Sequence, residues 1–278
     1  MCSSDLFNVP AVQVLSEVGL SPVLGLANAL GLRLGDPERY DLSLTLGGAE
    51  VRLVDLTAAY GVFAAGGVYH PTVAITRAED VDGRPINVAN QPKAERVLSQ
   101  ETAWLIADVL ADDAARAPGF GRDGVLHVPG RSVAVKTGTT SDFRDNWTIG
   151  FTPDVVVGVW VGNADNQPMH DVSGVSGAAL LWRDVLDGLI QNEAPTEFRR
   201  PPGLAQVTLC ADSEAVAGVE CQAHRLEWLI ATTTEPVAVR RGTAPLRITY
   251  PDLGWSSFWT PSCRARRSRC RSRSSGAG

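Results

Sequence analysis

Five consecutive residues, Lys136-Thr137-Gly138-Thr139-Thr140, carry the most chemistry in this chain. They follow an apolar run, Val133-Ala134-Val135, which places them on a β-strand edge. An ammonium, several hydroxyls and a glycine on such an edge suit recognition of a carboxylate beside an acyl centre. The edge presents backbone N–H and C=O groups that pair with a peptide-like substrate. Gly138 lacks a side chain, so an acyl group can approach the backbone closely. Lys136 favours a substrate carboxylate, and Thr137 and Thr139 offer hydroxyls to it. Thr139 and Thr140 are read as substrate-binding. A backbone N–H beside the strand can serve as an oxyanion donor, a contribution of about 3–4 kcal/mol in the transition state. The lysine is itself unusual: Lys93 and Lys136 are the two lysines among 25 basic residues.

A bare Lys-Thr-Gly usually marks a strand running into a turn. Here Thr140-Ser141, Asp145-x-Trp147 and a turn at 150–153 leading into an apolar strand add specificity. Asn8 is a second candidate, because an amide just before a helix can cap it or reach into a cleft. Asp145 is read as a charged turn residue rather than a catalytic acid. Trp147 and Trp160 are read as core aromatics, and His70, His127 and His170 as solvated loop histidines. No carboxylate pair falls on one helix face, so glycoside hydrolysis has no support. No Cys/His cluster has zinc-ligand spacing, and nothing asks for a metal or another cofactor.

The 278 residues suffice for one large domain or two smaller ones, with 44% hydrophobic residues to build a core. The net charge is −6, yet the stretch 261–278 holds six arginines and no acid, which leaves −12 for the rest. That acidic body does not suggest a nucleic-acid surface. No run of 18 apolar residues exists, and the opening five residues lack the apolar segment of a signal peptide. Either the protein is cytoplasmic or its targeting part lies elsewhere. Of five cysteines (Cys2, Cys210, Cys221, Cys263 and Cys270), Cys210 and Cys221 are spaced like a small disulfide loop, with free buried thiols as the alternative. Residues 268–278 are nearly all Arg, Ser, Gly, Ala and Cys, which predicts disorder. Residues 1–6 and the end beyond about 252 read as foreign junctions, and native sequence is expected to start near Phe7.

Apolar periodicity predicts helices over 9–17, 23–30, 51–65, 100–110 and 178–190, with Ser99 as an N-cap. Residues 68–77 read as extended before an Asp82-Gly83 turn. After a glycine-rich loop at 119–130, strands are expected at 133–135, 146–151 and 155–161. Short links favour antiparallel pairing. Val155–Val161 is apolar on both faces and is read as central. Residues 195–202 read as a linker, and 204–209 and 247–250 as strands of a small appendage. Helices, an antiparallel sheet and a covering helix make an α+β fold.

With these pieces together, the chain resembles the transpeptidase domain of class A penicillin-binding proteins, most closely the 1C type. The resemblance rests on Phe7-Asn8-Val9-Pro10, Leu46-Gly47-Gly48, Lys136-Thr137-Gly138-Thr139-Thr140, Arg144-Asp145-Asn146-Trp147 and Gly174-Val175-Ser176-Gly177-Ala178. It implies an incomplete penicillin-binding-protein or serine β-lactamase-like fold over 7–192. A connector with Cys210 and Cys221 over 193–245 and the start of a β-rich C-terminal domain over 246–278 would follow. It implies a serine D,D-transpeptidase of peptidoglycan that binds stem peptides and β-lactams, preceded by a glycosyltransferase domain and a membrane anchor. The implied location is the periplasmic face of the inner membrane, with other cell-wall synthesis proteins as partners and no nucleic acid.

Such enzymes use Ser-x-x-Lys, Ser-x-Asn and Lys-Thr-Gly. Lys136, Thr137 and Gly138 match the third motif, and Asn8 the asparagine of the second, whose serine position holds Leu6. No serine stands three residues before a lysine: Asn90 precedes Lys93 and Val133 precedes Lys136. The chain by itself is therefore expected to be inactive. A β-lactamase or D-Ala-D-Ala carboxypeptidase of the same fold, or a non-catalytic binding module, remains as an alternative.

Overall fold

The computed structural model describes residues 8–86, 93–140, 143–169, 177–210 and 224–231. All of them lie in one compact unit, residues 1–241. Helix α1 (Asn8–Val18) buries Val12 and Leu15, and α2 (Leu20–Ala29) buries Leu24 and Ala27. Helix α2 starts three residues before the predicted point. Pro22 is tolerated there because a first-turn residue has no intrahelical N–H bond to lose. Two 3-10 turns, Pro37–Arg39 and Leu42–Leu46, are opened by Asp36 and Asp41, whose carboxylates accept backbone N–H groups at 3.0 and 2.8 Å.

Helix α3 (Leu53–Ala64) ends at Gly66-Gly67 as expected. Gly67 has φ 95°, and a Cβ there would stand 2.2 Å from the Leu98 carbonyl oxygen. The predicted extended segment after it is strand only at β1 (Val68–Tyr69). Strands β2 (Ala78–Glu79) and β3 (Pro85–Ile86) flank the Asp82-Gly83 turn, and β4 (Glu95–Arg96) pairs with β1. Helix α4 (Gln100–Ala111) has the predicted cap: Ser99 Oγ accepts from Thr102 N at 3.1 Å. Helix α5 (Asp113–Phe120) was not expected, because Pro118 and the glycines beyond it mask its pattern. Asp112 caps it, accepting from Ala115 N at 2.9 Å.

The sheet that carries Lys136 to Thr139 has the order β5-β6-β7, all antiparallel: β5 (Ala134–Thr139), β6 (Asp145–Phe151) and β7 (Val156–Gly162). The middle strand is β6, which corrects the reading of the valine-rich strand as central. That strand is apolar on both sides for another reason: α3 packs on one of its faces and α6 (Ala178–Ile190) on the other. On the α6 side, Val135, Val157, Trp182, Leu186 and Ile190 form one buried cluster with Leu126 and Val128 of the glycine-rich loop. On the α3 side, Phe151 and Ala134 pack with Tyr60, Phe63 and Ala107. The sheet is thus a layer between helices, and its alternate residues serve two cores.

Arg131 and Arg183 fasten the loop to α6. Arg131 donates to the Ile190 carbonyl at 2.7 Å, at the end of the helix where carbonyls lack partners. Arg183 donates to the Val125 carbonyl at 3.3 Å and pairs with Asp187 at 2.7 Å. His127, expected to be solvated, is half-buried, with Nδ1 2.8 Å from Asp113. His70 is exposed, and His170 lies outside the described residues.

The stretch 195–202 is not a free tether. Phe198 stands edge-on to Phe151 at 5.6 Å, and its carbonyl accepts from Trp104 Nε1 at 3.1 Å. Strand β8 (Leu204–Cys210) pairs with β9 (His224–Ile230), a strand the sequence reading missed. Leu226 sits on the exposed side of β9 while Arg225 and Glu227 pair on the other, so hydrophobic alternation gave no signal. Trp228 meets Trp104 edge-on at 6.0 Å, with Arg200 4.2 Å above its ring. Cys210 is disulfide-bonded. Cys221 and the predicted strand at 247–250 lie outside the described residues.

At Gly150 the sheet lies close against α6. A Cβ there would sit 2.4 Å from the Trp182 ring and 3.0 Å from the Ala134 carbonyl oxygen. Gly150→Ala therefore overpacks a fully buried contact and should destabilise by about 1–3 kcal/mol, read as a lower urea midpoint with an unchanged slope.

Candidate active site

Strand β5 carries Lys136 to Thr139 from the buried core to the surface: Ala134 and Val135 are buried, Lys136 and Thr137 half-buried, Gly138 and Thr139 exposed. Among the described residues β5 pairs on one side only, with β6, so its other edge is open. Which groups that edge presents follows from one bond. Thr140 N donates to Asp145 O at 3.1 Å, across the ladder. Narrow and wide pairs alternate in an antiparallel ladder, so Gly138 and Lys136 also turn their backbone groups toward β6. Thr137 and Thr139 turn theirs to the open edge. Lys136 Nζ donates to the Thr137 carbonyl at 2.6 Å, in keeping with that carbonyl being unused by β6.

Side chains divide the other way. Lys136 and Gly138 share the α3 face with Ala134, while Thr137 and Thr139 share the α6 face with Val135. The ammonium and the two hydroxyls thus leave the strand on opposite faces and flank the same open edge. Burial pushes the Lys136 ammonium below the ordinary lysine value. Among the described residues no carboxylate forms an ion pair with it. A desolvated, unpaired ammonium beside a free backbone edge is a place for an anion.

The end of the strand is braced. Asp145 is the first residue of β6 rather than a turn residue, and it accepts hydrogen bonds from Trp160 Nε1 at 2.8 Å and Thr140 Oγ1 at 3.2 Å. Trp147 and Trp160 are not core: Trp147 is half-buried and Trp160 is 37% exposed, their centroids 6.4 Å apart on the face that carries Gly138. A Cβ on Gly138 would make only an ordinary contact, 3.7 Å, with the Trp147 Cβ. Asn146 is fully buried, and its carbonyl accepts the first N–H of α6, from Ala178, at 2.9 Å. Sequence reasoning named Asn146 only within the run Arg144-Asp145-Asn146-Trp147 that carries the resemblance, and gave it no role.

Asn8 is the first residue of α1 and is exposed. Helix α1 packs on the 3-10 turn Leu42–Leu46 and on α2, and no hydrogen bond among the described residues joins Asn8 to β5. Lys136, Thr137, Gly138, Thr139 and Thr140 are therefore brought together, and Asn8 is not joined to them. A separate apolar cleft of about 660 Å³ lies between α3, β7 and α6, lined by Leu53, Thr57, Val156 and Leu189 among others. None of the motif residues lines it, and His70 is its one titratable side chain.

Residues 36–185 match the family described as penicillin binding protein transpeptidase domain. The chain belongs to that family. It is 32% identical to penicillin-binding protein 1A of Aquifex aeolicus over 88% of this chain and 31% of that protein. It is 30% identical to penicillin-binding protein 1C of Escherichia coli over 82% of this chain and 28% of that protein. The chain thus spans less than a third of the length of these relatives, and the 1A and 1C types match it about equally. The crystal structure of penicillin-binding protein 1A from Haemophilus influenzae superposes with a TM-score of 0.70 at 21% identity, covering 90% of this chain and 40% of that one. The fold is that of the transpeptidase domain, with helices around an antiparallel sheet. Among the described residues no single helix is long and apolar enough to cross a membrane.

The lowered Lys136 pKa has a testable sign. A lysine whose folded value lies below its unfolded value penalises the fold while both states are protonated. That penalty fades as pH rises through the folded value to the ordinary 10.5. Lys136→Met should therefore stabilise the chain at pH 7, and the advantage over wild type should shrink toward zero above pH 10.5 in paired urea titrations.

Proposed function

We propose that this chain supplies the Lys-Thr-Gly wall of a serine D,D-transpeptidase that cross-links peptidoglycan. The observation that carries this is the open edge of β5, with a desolvated ammonium at Lys136 and an exposed Gly138-Thr139 beyond it. A stem peptide adds to this edge as an extra strand. Its terminal carboxylate meets Lys136 and the Thr137 and Thr139 hydroxyls, with Thr140 closing the end of the strand. The Thr139 N–H points to the same edge and is placed to receive the oxyanion. A serine then attacks the penultimate D-alanine carbonyl, the terminal D-alanine leaves as the amine, and the acyl group passes to an amine of a neighbouring stem. β-Lactams acylate the same serine, as expected from relatives whose structures are described as acyl-enzyme complexes with imipenem and ceftriaxone.

The 278 residues hold no Ser-x-x-Lys, so the nucleophile is assigned to sequence outside this chain. In this reading Asn8 is the asparagine of the second motif, and it joins the site when its upstream neighbours are present. Residues 7–192 are transpeptidase domain, 193–245 a connector held by the Cys210 disulfide, and 246–278 the start of a further domain. A glycosyltransferase domain and a membrane anchor would precede them, at the periplasmic face of the inner membrane.

Labelling with a fluorescent penicillin tests this. The chain alone should form no serine adduct, whereas the full gene product should be labelled at a serine upstream of Phe7. Lys136→Ala should slow that labelling about 100-fold. A full gene product without Ser-x-x-Lys that still binds penicillin reversibly would instead mark a binding module. Rapid turnover of soluble β-lactam or D-Ala-D-Ala peptide would mark a hydrolase.

A further inference from the structure

The run Arg144-Asp145-Asn146-Trp147 has no part in the reaction just described. Its two middle residues grip the reactive edge from both faces of the sheet. On the α3 face, Asp145 Oδ1 accepts from Trp160 Nε1 at 2.8 Å and Oδ2 accepts from Thr140 Oγ1 at 3.2 Å. The same Thr140 hydroxyl accepts from Asp145 N at 2.9 Å, and Thr140 N donates to Asp145 O at 3.1 Å. Three hydrogen bonds thus tie Thr140 to one residue. On the α6 face, the fully buried Asn146 donates from Nδ2 to Thr139 Oγ1 at 3.4 Å and accepts from Ala178 N at 2.9 Å. Thr139 is therefore linked to the start of α6, and Thr140 to β7.

This bracing falls where the strand needs it. Gly138 and Thr139 are exposed, and among the described residues no second ladder holds the open edge. Gly138 has no side chain to pack. An oxyanion donor acts only within about 2.7–3.1 Å of its target, and a displacement of about 1 Å costs about 100-fold in rate. We propose that Asp145 and Asn146 are positioning residues that set where the Thr139 N–H stands at the open edge of β5. This rests on reading that edge as the acyl-transfer site. A carboxylate suits position 145 because both of its oxygens accept, one from the indole and one from the hydroxyl. An amide of the same shape would keep its oxygen for the indole and turn its NH2 toward the Thr140 hydroxyl, which already accepts from the Asp145 N–H, so a charge-assisted bond would be replaced by a reversed, weaker one.

Two measurements test the clamp. In this chain, Asp145→Asn should shift the amide resonance of Thr139 and the indole N–H resonance of Trp160. Ile190→Val, in the core beneath α6, should leave both in place. In the full gene product, Asp145→Asn should lower the acylation rate constant for fluorescent penicillin about 10- to 100-fold, with the half-saturating concentration changed less than about twofold. Ile190→Val should lower the melting temperature and leave acylation unchanged. If Asp145→Asn does not fold, Trp160→Phe keeps an aromatic ring at that place, removes the indole N–H, and should shift the Thr139 amide likewise. A Thr139 amide that stays in place, or acylation that falls only in step with melting temperature, overturns the clamp. An unlabelled wild-type gene product overturns the transpeptidase reading instead, and the Thr139 resonance then decides the clamp by itself.

Discussion

Trp182 lies against Gly150, and the seating of α6 on the sheet follows from that contact. The ring is fully buried, and the glycine gives it the space a Cβ would occupy. Once α6 is seated, its first N–H reaches Asn146 and its last carbonyl reaches Arg131. Asn146 in turn touches Thr139. A packing contact in the core is thus connected, through a helix end and one buried amide, to the strand that carries the Lys-Thr-Gly motif. Close-packed interiors transmit such constraints because little free volume is left to absorb a shift.

The same sheet meets two demands that pull in opposite directions. A stable strand wants a neighbour on each edge, whereas a substrate-binding strand must leave one edge free. Strand β5 resolves this along its length. Its first residues are buried between two hydrophobic clusters, and its last are exposed and held by side-chain hydrogen bonds instead of a second ladder. Lys136 stands at the changeover, half-buried, so its charge is partly desolvated, and among the described residues no acid pairs with it. Such an ammonium acts more strongly on a nearby anion than a fully solvated one.

Helices with a clear apolar face and a capping residue were legible from sequence, as Ser99 before α4 and the span of α6 show. The three strands and their antiparallel pairing were legible too, since short links leave few alternatives. Strand order was not. Val155–Val161 has the composition of a central strand, yet it owes its two apolar faces to α3 and α6. Helix α5 was hidden by Pro118, and β9 by an ion pair facing inward while Leu226 faces out. In each case local pattern was overruled by what lay across the fold.

The sequence by itself determined the family. A lysine where the chain almost everywhere else writes arginine, followed by Thr-Gly-Thr at the end of an apolar run, carries the resemblance that the family match bears out. It also determined that no serine of the required spacing is present. Only the tertiary structure decided which backbone groups face the open edge, because that depends on the register with β6. It alone changed Asp145 from a turn charge into a brace and took Trp147, half-buried, and Trp160, exposed, out of the core. The physical reason is the same for all three. Hydrogen-bond partners 15 or 32 residues apart meet through strand pairing and helix seating, and no local pattern records the meeting.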